Sequence, residues 1–232
     1  MRHCLITGAN RGLGLALSRE LLQRGARIVA CCREPDAADA LQALQAEYPG
    51  RLQIEALDVT DNAAMAALHD RLRQDFRRVD LLIHNAGILV SGERFGNVKA
   101  DDLARSFAVN ASAPLLLTQA LADLLRQGHQ PRVLCISSQL GSIAQASAFR
   151  TASYAMSKAA LNMAVKRLDA ELSGHGITVL AVHPGWLKTR MGGDNATLDP
   201  AISARMLLDH LARVGPDDGG RFLAYDGTTL PW

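Results

Sequence analysis

The first stretch of the chain narrows the fold more than any other. His3-Cys4-Leu5-Ile6-Thr7 is a short apolar run that stops at a glycine, as a buried strand does. Thr7-Gly8-Ala9-Asn10-Arg11-Gly12-Leu13-Gly14 follows it and opens a segment in which Leu13, Leu17, Leu21 and Leu22 share one helical face. Strand, glycine-rich turn and helix start together make an anion site. Missing Cβ atoms let the backbone approach a pyrophosphate, and the first N–H groups of the helix point outward without intrahelical partners. The spacing is G-x-x-x-G-x-G, not the G-x-G-x-x-G of many dinucleotide folds. A chance cluster of glycines is the competing reading, and the position directly after the first strand argues against it.

The same alternation continues to the end of the chain. Further strands are expected at Arg27 to Cys32, Leu52 to Leu57, Asp80 to His84, Arg132 to Ser137, Ile177 to Val182 and Arg221 to Tyr225. Helices are expected at Ala37 to Glu47 and after a capping Asp61, with Met65, Leu68, Leu72 and Phe76 as its stripe. Another runs from Ala100 through Phe107, breaks near Asn110 and resumes after Pro114. A long helix carries Leu161, Val165, Leu168 and Leu172 and stops at Gly174 and Gly176, and a last one runs from Asp199-Pro200 to about Ala212. This pattern predicts a single α/β domain over residues 1–232: a doubly wound, mostly parallel Rossmann sheet with helices on both faces. Leu115, Leu116, Leu117, Ala120, Leu121, Leu124 and Leu125 exceed what one sheet face needs. They suggest pairing with a second copy, as a homodimer or homotetramer through the 112–127 and 153–173 helices.

Composition removes several function classes. A net charge of +2 gives no electrostatic case for nucleic acid or an anionic membrane. No run is long and apolar enough to span a bilayer or act as a signal peptide, so a cytoplasmic protein is expected. Cys4, Cys31, Cys32 and Cys135 each fall in a candidate strand without metal-ligand spacing, and read as reduced, packed thiols. His183 reads as strand-end packing, and no metal site is expected. Asn195-Ala196-Thr197 matches a glycosylation sequon by chance.

Tyr154 and Lys158 carry the chemistry. Their spacing stacks a phenol and an ammonium on one helical face. Lowering a phenol pKa by about three units needs roughly 4 kcal/mol, which a cation about 4 Å away supplies at an effective dielectric near 20. Desolvation of the phenolate opposes this, so Lys158 alone is marginal. At the end of the second strand stands Arg33, where NAD sites carry an acidic residue. With Arg11 it is suited to clamp a 2′-phosphate, although the adjacent Glu34 can also reach a ribose. Asp58-Val59 ends the third strand, where a carboxylate can accept a bond from an adenine amino group. Small residues at Asn85-Ala86-Gly87 allow close approach over the carboxyl edge of the sheet.

Three of these motifs, Thr7 to Gly14, Asn85 to Gly87 and Tyr154 to Lys158, resemble the short-chain dehydrogenase/reductase family in type and order, over essentially the whole chain. The resemblance implies a catalytic set of Asn110, Ser138, Tyr154 and Lys158. Ser138 would bond the substrate carbonyl oxygen, and Asn110 would hold a water next to the lysine. It further implies a Pro184-Gly185 turn on the nicotinamide, with Leu187 and Thr189 beyond it. The candidate cofactor contacts are then Gly8, Asn10, Arg11, Gly12, Leu13, Arg33, Asp58, Val59, Asn85, Ala86, Gly87, Tyr154, Lys158, Pro184, Gly185, Leu187 and Thr189, for NADP(H). The Ser138 to Tyr154 interval is a few residues longer than the commonest family pattern, with the excess in Ile143 to Ala152. His183-Pro184-Gly185-Trp186 and the Asp226-Gly227 and Leu230-Pro231-Trp232 ending are similar to the C-factor and sniffer-type carbonyl reductase branch. The implied activity is reduction of an aldehyde or ketone, with Tyr154 as general acid and a small-molecule carbonyl as substrate. Ile88, Leu140, Trp186, Leu187 and Met191 would line the pocket, and a glycine-rich segment around 188–199 would cover it as a lid. The branch also allows a cofactor-binding signalling protein in which catalysis is incidental.

Overall fold

A computed structural model describes residues 2–232. Seven strands form one sheet: β1 (His3–Thr7), β2 (Arg27–Cys32), β3 (Leu52–Ala56), β4 (Leu81–His84), β5 (Arg132–Ile136), β6 (Thr178–His183) and β7 (Phe222–Ala224). Their order is β3-β2-β1-β4-β5-β6-β7, and every pairing is parallel. The order reverses between β1 and β4, so the crevice for a ligand opens at the carboxyl ends of those two strands.

The helices are α1 (Gly12–Gln23), α2 (Asp39–Glu47), α3 (Asn62–Asp75), α4 (Ala100–Phe107), α5 (Ala113–Ala120), α6 (Ala122–Arg126), α7 (Ala152–Leu172) and α8 (Pro200–Leu211). They bury two separate cores. Leu17, Leu41 and Leu207 of α1, α2 and α8 pack on one face of the sheet. Leu68, Leu117, Leu124 and Val165 of α3, α5, α6 and α7 pack on the other. The central parallel strands are buried on both faces, which explains their apolar runs; edge strand β3 is only partly buried. Cys31 and Cys32 fall in opposite cores, as successive strand residues must. Burial pushes the Cys4 and Cys135 thiols up to about 12 and raises Cys31 as well, so these thiols are inert packing groups. Asp61 caps α3 by accepting from the Ala63 and Ala64 N–H groups, and Asp199 caps α8 through Ala201.

One boundary differs in kind from the sequence expectation. The helix does not break at Asn110. Residues Ala108–Ser112 form a wide π turn that joins α4 to α5 without interruption. Pro114 has no N–H to give to the Asn110 carbonyl, so an α ladder cannot continue through this point, and an extra residue in the turn absorbs the mismatch. Among the described residues no helix is long and apolar enough to cross a membrane.

Candidate active site

The glycine turn and the end of β4 are locked together. The Thr7 hydroxyl oxygen accepts from the Asn85 and Ala86 N–H groups, both at 3.1 Å. The Asn85 amide donates to the Thr7 and Gly8 carbonyls at 3.0 and 2.8 Å. A Cβ on Gly14 would fall 2.3 Å from the Gly8 carbonyl oxygen, so only glycine permits this approach. Gly8 and Gly12 both adopt left-handed backbone, at φ 64° and 54°. Arg11, the residue before α1, makes no side-chain cap, and the first turn of the helix carries no acidic residue. Unpaired N–H groups over a surface cleared of side chains fit a pyrophosphate. Thr189 reaches over the turn, its Cγ2 3.2 Å from where a Gly12 Cβ would stand. Asn10 is half-buried in the turn. Leu13, in contrast, is buried in the core, so only its backbone faces a ligand.

Arg11 and Arg33 are both exposed at this end of the sheet. Asp58 is already engaged: one carboxylate oxygen accepts from the Thr60 N–H and hydroxyl at 2.9 and 2.7 Å. Those bonds, with a contribution from the Arg33 charge, hold its carboxyl below the usual range. Val59 beside it is half-buried.

Ser138 and Tyr154 meet where β5 ends. The Tyr154 hydroxyl faces the Ser138 side chain, near enough for the serine to favour the phenolate. Ser138 also accepts from the Leu140 N–H at 3.2 Å, which fixes its rotamer. Asn110, Ser138, Tyr154 and Lys158 are all buried. Lys158 Nζ donates to the Ile136 carbonyl at 2.7 Å and lies 5.7 Å from the Tyr154 ring centre. Burial raises the Tyr154 pKa above that of a free phenol, partly offset by the neighbouring Ser138 hydroxyl, and pushes Lys158 down to about 8. The expected depression of Tyr154 by Lys158 is therefore absent from the chain by itself. The ammonium is directed at Ile136, and desolvation of the phenol dominates. What results is a buried, protonated phenol, the form a general acid needs.

Asn110 ties the loop after β4 to α7. Its carbonyl oxygen accepts from the Ile88 N–H, and its amide donates to the Ile88 carbonyl and the Ser157 hydroxyl oxygen, each at 2.9 Å. Ser157 in turn donates to the Tyr154 carbonyl at 2.8 Å. Gly87 fits beneath this link, its Cβ position 3.2 Å from Asn110 Oδ1 and 3.7 Å from Lys158 Nζ.

The second serine of the pair is structural. Ser137 donates to Asn162 Oδ1 at 2.6 Å, and the Asn162 amide donates to the Gly141 carbonyl at 3.1 Å. A Cβ on Gly141 would stand 2.8 Å from the Lys158 backbone carbon, so this glycine lets the Ser138 turn sit against α7. Sequence reasoning missed Asn162, Gly141, Ser157 and Glu93. Asn162 alone carried a signal, standing four residues beyond Lys158 on the same helical face.

The segment expected to be a lid is tied to itself. Lys188 N–H bonds the Leu198 carbonyl at 2.9 Å, Leu198 N–H bonds the Trp186 carbonyl at 3.0 Å, and Trp186 Nε1 bonds the Gly192 carbonyl at 2.9 Å. Pro184 is buried, and Gly185 at φ 88° leaves no room for a Cβ beside Leu198. Leu187 is a correction to the expected pocket. It is buried in the core on the α1 and α8 side, drawn inward by its bridge to Leu198, and offers a ligand only backbone. Ile88 is half-buried, and Leu140, Trp186 and Met191 are exposed around the cleft. The extra length after Ser138 is held by the chain terminus: Ser142 donates to the Pro231 carbonyl, and Ala144 N–H to that of Trp232. His183 is half-buried, and no metal-holding cluster exists among the described residues.

The family model for short chain dehydrogenases matches residues 2–198. The chain is 42% identical over 154 residues to the C-signal protein of Myxococcus xanthus, an alignment covering 66% of this chain and 93% of that one. Among solved structures it is similar to an NADPH-bound carbonyl reductase from chicken fatty liver, with a TM-score of 0.95, 34% identity, and coverage of 100% of this chain and 99% of that one. It is equally similar to the carbonyl reductase Sniffer of D. melanogaster, with a TM-score of 0.95, 30% identity and full coverage of both chains. The glycine turn welded to Asn85-Ala86-Gly87, the facing Ser138 and Tyr154 side chains and these matches agree: the chain belongs to the short-chain dehydrogenase family, in its C-factor and sniffer-type branch.

Proposed function

We propose that the chain is an NADPH-dependent carbonyl reductase acting on aldehydes or ketones of low polarity. The observation that carries this is the convergence of buried Ser138 and buried, protonated Tyr154 at the end of β5, with the Lys158 ammonium next to the ring. When bound, the nicotinamide cofactor supplies the hydride. Ser138 orients and polarises the carbonyl oxygen, and Tyr154 gives it a proton as negative charge develops there. Lys158 holds the nicotinamide ribose and balances the phenolate left behind. Asn110 keeps the loop after Gly87 in register with Tyr154 through Ile88 and Ser157. Exposed Leu140, Trp186 and Met191 favour an apolar substrate entering between the β5 and β6 loops, with 188–199 covering it. The test is NADPH oxidation with purified protein over a panel of aldehydes, ketones and sugars. Turnover confined to polar sugars, or none at all, would remove the proposal.

NADPH over NADH rests on exposed Arg11, just before α1, and exposed Arg33, the first residue after β2, with Glu34 beside it as the competing ribose contact. Arg33→Ala is expected to weaken NADPH binding by about tenfold while leaving NADH binding within about twofold, as a lost charge-assisted phosphate contact does. Fluorescence titration of both cofactors measures the difference, and an equal loss for both would speak against the clamp.

Self-association is favoured by Leu115 and Leu116 on α5 and by Met156 and Met163, one face of α7, all of them exposed. Light scattering should report a dimer or larger, and Met163→Glu should shift it toward monomer. A signalling role is the second reading, favoured by the similarity to C-signal. It is separated from the first by a phenotype that survives Tyr154→Phe while NADPH still binds.

A further inference from the structure

Helix α7 presents both Tyr154 and Lys158, so the position of its first turn sets where the phenol oxygen lies. That turn has no local cap. Thr151, by residue type a good cap, sits in the left-handed region at φ 45°, makes no capping bond, and leaves its own hydroxyl buried without a partner. One first-turn donor, the Ser153 N–H, is met from elsewhere in the chain. Glu93, in the loop after β4, is buried, and both its carboxylate oxygens are directed at one residue, Ser153. One oxygen accepts from the Ser153 N–H at 3.0 Å, and the other accepts from the Ser153 hydroxyl. Ser153 precedes Tyr154 directly.

A buried carboxylate is costly unless its oxygens are well bonded, and the start of a long helix is where negative charge is most favourable. The loop that carries Glu93 is itself anchored at its other end. Asn110 holds Ile88 at both its N–H and its carbonyl, and also bonds Ser157. Tyr154 is thus bracketed. Ser153 on one side is held by Glu93, and Ser157 on the other is held by Asn110 and bonds the Tyr154 carbonyl itself. Just beyond Glu93, Phe95 meets Phe149 edge-on at 5.5 Å, so the same loop is also joined to the segment that leads into α7.

We infer that Glu93 is a positioning residue for Tyr154: through Ser153 it sets the first turn of α7 and thereby the placement of the phenol. This rests on the reading of Tyr154 as proton donor. Gln at 93 can keep both links, its oxygen accepting from the Ser153 N–H and its amide donating to the Ser153 hydroxyl oxygen. Ala keeps neither.

The experiment measures kcat per NADPH-binding site, so that any unfolded fraction is divided out, together with KM for a carbonyl substrate. Glu93→Ala is expected to lower kcat by about 10- to 100-fold, as a small misplacement of a reacting group does, with KM and the NADPH Kd little changed. Glu93→Gln is expected to recover most of the loss. Unchanged kcat per site in Glu93→Ala, or an equal loss in Glu93→Gln, overturns the inference. If Glu93→Ala does not fold, Ser153→Ala removes only the hydroxyl link; a several-fold drop in kcat at constant KM supports the role, and none refutes it. Hydrogen exchange separates this inference from the function on which it rests. If the wild type reduces no carbonyl, the carbonyl-reductase proposal falls. The positioning role is then judged by the Ser153 amide, which must exchange fast in Glu93→Ala and slowly in Glu93→Gln.

Discussion

Tyr154→Phe should lower carbonyl turnover by about a thousandfold while NADPH still binds. The substitution removes one oxygen and leaves the ring, which is buried against its neighbours, in place. One function goes with that oxygen: the proton that neutralises the developing alkoxide. The fold should survive, because the ring keeps its packing and Ser138 keeps its bond to the Leu140 N–H. Single-turnover oxidation of NADPH measures the chemical step directly. A loss below about tenfold would assign the proton transfer to another group. The pH profile adds a second check. Burial raises the Tyr154 pKa, so the phenol stays protonated throughout the neutral range, and reduction should not lose its acid as pH climbs from 6 to 9 for any reason located at Tyr154.

The parts of this site that the sequence announced are those that act over short separations. Gly8 and Gly12 are required by left-handed backbone inside the turn, and Gly14 by the Gly8 carbonyl, which would stand 2.3 Å from its Cβ. Tyr154 and Lys158 are one helical turn apart, so their juxtaposition follows from the helix alone. The central strands read correctly because they are buried on both faces and therefore almost uniformly apolar, whereas edge strand β3 carries Gln53 and Glu55. What escaped notice depends on distant pairs. Glu93 caps a helix whose first residue lies far along the chain, and as a lone acidic residue in a polar loop it looks like solvent-exposed charge. Ser157 reads as a helix-surface serine until Asn110 is brought beside it by the π turn. The place of Leu187 after Pro184-Gly185 points to the pocket. The bridge to Leu198 turns it inward, and no local periodicity marks that turn. The expected link between Lys158 and the Tyr154 pKa failed for a related reason. Sequence spacing gives proximity, but the Ile136 carbonyl that attracts the ammonium belongs to a strand the spacing does not include.

Lys158 is where activity and stability should separate most widely. Its ammonium is buried, and its pKa is down to about 8 from an ordinary 10.5. A base whose folded pKa lies below its unfolded one is penalised in the fold while charged. The penalty is complete below pH 8 and disappears as pH rises towards 10.5, where the unfolded chain also gives up its proton. The size of the shift corresponds to about 3 kcal/mol, from which roughly 1 kcal/mol is deducted for the bond to the Ile136 carbonyl. Lys158→Met should therefore fold more stably than the wild type by about 2 kcal/mol at pH 7, a rise in Tm of about 5 °C for a chain of this length. That advantage should shrink steadily between pH 8 and 10.5. The same variant should lose carbonyl turnover by about a hundredfold or more, because no cation remains to hold the cofactor ribose or to balance the phenolate. The wild-type rate should likewise fall as pH passes about 8, which is the deprotonation of Lys158 and not of Tyr154. Thermal melts of both proteins across pH 6 to 10.5, set beside their rates, test the account. A variant that is less stable at pH 7 and gains nothing as pH is lowered would show that the buried ammonium is fully compensated by its surroundings, and that Lys158 is held in place at no cost to the fold.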